Sequence, residues 1–303
     1  MTNAMPHHQP VVPVTSADGH RFELIHVPAE RPSARMLFLP GMGLTARQYI
    51  RFGQALSEHG IESYIHEWRG LGSSSLRASR SSNWGYRELL ELDLVAAQDL
   101  IESEGRQGPL PLIVAGHSLG SQLACLLAAQ RPAQCRGIAI IAGGSPYWRS
   151  FGWFKGGALL TGLSVMPGIA RLIGHYPGRQ LGFAGREARG VIADWARSGR
   201  TGVYQAPGIE QDLEAGLARL TAPVLGLRLA DDWLVPEPSL SWLTDKLSSA
   251  QVSHRLVHAG RSDQSADHYS WMTEPGPCAR AIADWVADKF TATGQSTEAI
   301  SRA

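Results

Sequence analysis

The chain has 303 residues, of which 44% are hydrophobic and 18% charged, with 28 Lys plus Arg against 27 Asp plus Glu. A chain of that length buries about 75% of its unfolded surface. That composition excludes a disordered protein, and a net charge of +1 gives no footprint for nucleic acid or for an anionic membrane.

Cys125, Cys135 and Cys278 show no C-x-x-C spacing, so neither a disulfide framework nor a zinc site is expected, and a reducing compartment suits them. The opening MTNAMPHHQP lacks the apolar core of a signal peptide. The longest apolar stretch, residues 157–174, contains Pro167, Arg171 and four glycines and makes a poor membrane span. The expectation is a soluble, cytoplasmic protein without metal, cofactor, nucleic-acid partner or stable membrane insertion.

After a tail over residues 1–10, Val11–Ser16 and Arg21–Val27 read as strands. Asp18-Gly19 between them tolerates the positive φ of a tight hairpin turn. Met36–Leu39 reads as a buried strand, and Thr45 as the cap of a helix carrying Tyr49, Phe52 and Leu56 on one face, closed by Gly60. A strand over Ile61–His66 follows. Leu90, Leu94, Ala97 and Ile101 then recur at helical spacing. Leu110–Ala115 is the next strand, residues 118–130 a helix that Pro132 closes, and Gly137–Ala142 a fourth buried strand. The alternation stops at Gly143 and resumes with a strand at Val224–Leu229, a helix at Leu240–Leu247, a strand at Val252–Val257 and a last helix bearing Ile282, Trp285, Val286 and Phe290.

Strands alternating with helices imply βαβ units and a largely parallel sheet. The expected organisation is an α/β core over residues 11–144 and 221–292. An inserted helical cap spans residues 145–220, and a second tail spans 293–303.

Gly116-His117-Ser118-Leu119-Gly120 is the only G-x-S-x-G in the chain. It follows an apolar strand and opens a helix, the setting in which a sharp turn lifts a serine hydroxyl clear of the sheet and the two glycines let strand and helix approach. With Leu39-Pro40-Gly41-Met42-Gly43, with Trp68-Arg69-Gly70-Leu71-Gly72-Ser73-Ser74, with Asp232-Trp233-Leu234-Val235-Pro236, with a late histidine and with the segments 175–178 and 194–197, it makes the chain resemble the α/β hydrolases. The likeness is to the capped branch of esterases, monoacylglycerol-type lipases and serine aminopeptidase-like proteins, and it runs from about Phe22 to Phe290. Two positions depart from that pattern. Pro40 stands where the superfamily has His, and Glu67-Trp68 stands where it has Asp before Arg-Gly.

The resemblance implies a Ser–acid–His order along the chain. His268, in the loop after the last strand, is the implied base, with His258 as its rival. Asp232 is the implied acid through the Asp-x-x-Val-Pro pattern, with Asp231 as a turn residue. The oxyanion donors are expected to be the backbone N–H groups of Leu119 and Met42, with Met42, Trp148, Trp153 and Phe154 lining a substrate pocket. The reaction implied is cleavage of a small-molecule carboxylic ester through an acyl-enzyme, with an apolar medium-chain acyl group. A thioesterase, an acyltransferase or a peptidase would use the same residues, and a non-catalytic ligand-binding protein could share the fold. Gly41-x-Gly43-x-x-Ala46 followed by Glu67 also matches a dinucleotide-binding fingerprint.

Overall fold

The computed structural model describes residues 9–103 and 110–291, so the expected tails lie outside it apart from Gln9 and Pro10. Eight strands form one sheet: β1 (Val11–Thr15), β2 (Arg21–Val27), β3 (Ala34–Leu39), β4 (Ile61–Ile65), β5 (Leu112–His117), β6 (Gly137–Ile141), β9 (Val224–Leu229) and β10 (Val252–Val257). Their spatial order is β1-β2-β4-β3-β5-β6-β9-β10. The β1–β2 and β2–β4 pairs are antiparallel and all others parallel.

The apolar runs of β3, β5 and β6 are buried along their whole length, as strands covered on both faces must be. On one face lie α1 (Ile50–Ser57) and α9 (Gly276–Val286), which bring Phe52, Leu56, Ile282 and Trp285 against the sheet. On the other lie α2 (Leu94–Ser103) and α3 (Leu119–Gln130), with Leu94, Ile101, Leu123 and Leu127 in the core. This is the α/β-hydrolase fold.

Element boundaries moved for physical reasons. Thr45 caps a 3-10 turn, Ala46–Tyr49, and the α-helix starts only at Ile50. A wide turn over Glu88–Asp93 precedes α2. The helix expected over Leu240–Leu247 is α8 (Glu237–Thr244), which begins directly after Pro236, a residue whose fixed φ suits a helix start. Strand β5 runs to His117, so the sheet delivers Ser118 without an intervening loop.

Between β6 and β9 the chain leaves the sheet. It forms α4 (Trp153–Ile173), a two-stranded ribbon of β7 (Tyr176–Pro177) and β8 (Arg186–Glu187) around the short α5 (Gly178–Leu181), then α6 (Arg189–Thr201) and α7 (Leu213–Arg219). Helices α4 and α6 pack against each other. Their buried residues, among them Leu163, Ala170, Ile192 and Ala196, join the core on the α3 side. Among the described residues α4 is the one helix long and apolar enough to cross a membrane.

Candidate active site

Ser118 sits at φ 54°, ψ −118°, between the end of β5 and the first turn of α3. A side chain at positive φ costs about 1–3 kcal/mol and persists only where its surroundings impose it. They do so here: Ser118 N–H donates to the Ile141 carbonyl at 3.1 Å, and Ser121 Oγ–H donates to the Gly116 carbonyl at 2.5 Å. The two motif glycines are required by contact. A Cβ on Gly116 would lie 2.2 Å from the Gly120 carbonyl carbon, and one on Gly120 would lie 2.0 Å from the Leu39 carbonyl oxygen.

His268 is buried in the loop after β10, and its Nδ1 is 2.8 Å from Asp232 Oδ2. The other Asp232 oxygen accepts from the amides of Leu234 (2.8 Å) and Val235 (3.2 Å), so the carboxylate is held on both sides and its side chain is 1% exposed. Asp231 faces elsewhere: it accepts from the Ala266 amide at 2.9 Å and so ties down the loop leading to His268. His258 is exposed and lies against a separate small hollow with Ala266 and Cys278.

Ser118 and His268 line one cavity of about 510 Å³ without being hydrogen-bonded to each other. Catalytic contacts are often long in the absence of substrate. Met42 and Leu119 line the same cavity. Leu119 is the first residue of α3, where amides have no partner inside the helix.

The Met42 loop is braced from beneath. Tyr49 Oη accepts from the Gly41 amide at 3.0 Å and donates to His117 Nδ1 at 2.7 Å. Burial holds the His117 imidazole well below the usual histidine range, so it stays neutral, and His268 beside it pushes the same way. The Trp68 indole N–H donates to the Pro40 carbonyl at 2.9 Å, and the Glu67 carboxylate accepts from the Ala46 amide at 3.3 Å. The two departures from the family pattern thus hold the same loop. Glu67 is buried there, its pKa raised to about 7 by burial. It is not free to bind a ribose, which removes the dinucleotide reading.

The pocket residues need correction. Met42 lines the cavity, but Trp148, Trp153 and Phe154 do not. Trp148 is half-buried, with Tyr147 at its edge and the Arg149 guanidinium over its ring. At about 100° per residue, Phe154 lies on the side of α4 opposite its buried residues and Trp153 on the flank between, and both are exposed. The walls are instead Leu163, Met166, Phe183, Trp195 and Trp233, with Tyr269 beside His268. The helical spacing of Leu163, Met166 and Ala170 was the available signal for the inward face of α4.

A second serine–histidine–carboxylate arrangement exists and is sealed. His20 lies 2.8 Å from Ser74 Oγ and 3.0 Å from Asp93, which also takes two hydrogen bonds from Arg69. Burial raises the Asp93 pKa, but Arg69 and His20 overcome it and hold it at about 2. All four side chains are buried, so this cluster clamps the hairpin to the Arg69–Ser74 loop.

Comparison with known proteins agrees with this fold. Residues 30–170 match the model of the family described as serine aminopeptidase, S33, and no curated protein matches the chain. Among solved structures, DcsB in complex with a substrate analogue is 13% identical, with a TM-score of 0.62 over 93% of this chain and 99% of its own. The esterase domain from a Rhodothermus marinus protein is 16% identical, with a TM-score of 0.59 over 91% and 97%. Est1E from Butyrivibrio proteoclasticus, with ferulic acid bound, is 15% identical, with a TM-score of 0.59 over 92% and 99%. With this sheet order and these likenesses, the chain has the α/β-hydrolase fold, and its first half is similar to the serine aminopeptidase, S33 family.

Proposed function

We propose that the chain is a cofactor-independent serine hydrolase that cleaves carboxylic esters with an apolar acyl group. The observation that carries the reading is the buried 2.8 Å His268–Asp232 pair on the same cavity as the strained Ser118.

In this reading His268 Nε2 takes the Ser118 hydroxyl proton as Oγ attacks the ester carbonyl. Asp232 holds Nδ1–H and stabilises the imidazolium. The oxyanion accepts from the amides of Leu119 and Met42. Collapse expels the alkoxide, which takes the proton from His268 and leaves an acyl-serine. Water then attacks, giving its proton to His268, and the carboxylic acid departs as Ser118 is reprotonated. The inserted segment acts as a cap whose inner wall of Leu163, Met166, Phe183 and Trp195 receives the acyl chain.

The test is labelling with a fluorophosphonate probe, followed by p-nitrophenyl ester turnover. Wild-type protein is expected to be labelled and Ser118→Ala to lose both labelling and turnover while melting as before. Labelling of Ser118→Ala at the wild-type rate overturns the nucleophile. A labelled protein that turns over thioesters or amides in preference to oxygen esters keeps the nucleophile and overturns the substrate class.

A further inference from the structure

Helix α4 divides cleanly into two faces. Gly156, Leu163, Met166 and Ala170 are its buried residues, turned toward α6 and the cavity. At about 100° per residue, the opposite stripe carries Phe154, Val165 and Leu172, with Trp153 on its flank, and these four are 88%, 51%, 74% and 90% exposed. A helix that packs one face on a protein normally turns polar residues outward. Here the mean hydropathy of an 18-residue window is 1.4, and only 22% of that window is buried.

The polar groups on this stripe turn inward. Thr161 Oγ1–H donates to the Gly157 carbonyl at 3.0 Å and Ser164 Oγ–H to the Leu160 carbonyl at 2.7 Å. Neither hydroxyl depends on water for its proton.

Charge adds a second, independent observation. From Ser145 to Gly185 there is no Asp or Glu, while Arg149, Lys155, Arg171 and Arg179 all fall in that span of a chain whose net charge is only +1. Among the described residues neither Lys155 nor Arg171 has an ion-pair partner. Lys155 Nζ instead lies 5.9 Å from the centre of the Trp233 ring. Trp233 is 67% exposed and lines the cavity mouth with Tyr269. The first turn of α4 therefore borders the cavity through Lys155, which lines it beside Trp233.

We propose that the outer face of α4 is a docking surface for an anionic phospholipid bilayer, and that docking sets the cavity mouth against the lipid. Trp153 enters at the headgroup level, where an amphipathic indole is favoured, and the apolar Phe154 beside it reaches the acyl boundary. Lys155 and Arg171 flank the apolar stripe on its two sides, where their long side chains reach lipid phosphates. The helix lies in the interface and does not cross, because its inner face is held on α6. A second copy of the chain is a poorer occupant, since pairing two acid-free stripes sets cation against cation. The proposal concerns the surface and holds whatever bond the Ser118 site cleaves.

Flotation of the full-length Ser118→Ala protein with vesicles tests it, because binding is then read without turnover. The protein is expected to float with phosphatidylcholine–phosphatidylglycerol vesicles, to float far less with phosphatidylcholine alone, and to release as salt rises. Trp153→Ser with Phe154→Ser is expected to lower the bound fraction about tenfold or more, and Lys155→Glu with Arg171→Glu to abolish the preference for the anionic lipid. Melting curves establish that both variants fold. Absence of flotation, equal flotation with both vesicles, or unchanged flotation of the aromatic variant would each overturn the proposal. So would a concentration-dependent dimer that only the aromatic variant loses, which would make the face a contact between copies.

Discussion

Tyr49 and His117 are joined by a 2.7 Å hydrogen bond directly beneath the Ser118 turn, although 68 residues separate them. The same phenol oxygen receives the Gly41 amide, so one buried atom ties the loop before Met42 to the residue before Ser118.

Tyr49→Phe leaves the Gly41 amide and one His117 nitrogen without a partner. Buried groups orphaned in this way cost about 1–3 kcal/mol, so the melting temperature is expected to fall. If the phenol positions the Met42 amide, kcat falls with KM little changed, since an oxyanion donor acts in the transition state. Steady-state kinetics on a p-nitrophenyl ester separates the roles: a lower melting temperature at unchanged kcat leaves Tyr49 with a structural part alone.

Asp232→Asn is expected to lower turnover by up to about 10⁴-fold, because the amide no longer holds the tautomer that His268 needs as a base. Asp231→Asn is the matched control and is expected to cost far less, as Asp231 holds the Ala266 amide rather than the imidazole. If the control proves the more damaging change, the acid has been assigned to the wrong residue of the pair.

For the acyl group, each buried methylene contributes about 0.8 kcal/mol, nearly fourfold in affinity. kcat/KM is expected to rise at least about tenfold from acetyl to six- to eight-carbon esters. Gly162 lines the cavity, and a Cβ there would meet no atom within 4 Å. Gly162→Leu is therefore expected to fill the cavity without a clash and to move the optimum to shorter chains. A flat profile in the wild type would assign the apolar walls to packing alone.

Glu187 supplies a pH test. Burial raises its pKa from 4.5 to about 7, against the opposing pull of the Gly185 amide and Arg179. The folded state then holds a proton that the unfolded chain has released, so this group's contribution to stability falls as pH rises from about 4.5 and levels off above about 7. Glu187→Gln removes that dependence. The melting-temperature difference, variant minus wild type, is expected to grow more positive across that window. A difference independent of pH would show that Glu187 is ionised throughout.

Much of the architecture was legible because it rests on local signals. The apolar runs of β3, β5 and β6, the Asp18-Gly19 turn and the glycines two residues either side of Ser118 each follow from what a neighbouring backbone permits. The contest between Asp231 and Asp232 was legible only through the Asp-x-x-Val-Pro resemblance, since both follow the same strand. What could not be read was orientation around α4. Trp153 and Phe154 have the composition of pocket walls, but the phase of the helix is set by tertiary packing against α6, and that phase turns them outward. Tyr49 showed the spacing of a core residue, and nothing local marks a phenol whose partners lie 8 and 68 residues away.

The loop bearing Met42 and the inserted segment meet backbone to backbone. Gly43, at φ 77°, has room for no side chain, because a Cβ would stand 2.2 Å from the Gly185 nitrogen and 2.6 Å from the Ala184 carbonyl carbon. The insertion is therefore not an interchangeable module. A chimaera that replaces residues 145–220 with the corresponding segment of another protein must also bring a turn that fits against Gly43, or lose the shape of the loop on which Met42 sits. In an evolving lineage the two segments would have to drift as a pair, so a change of substrate made by remodelling the insertion is constrained at this contact.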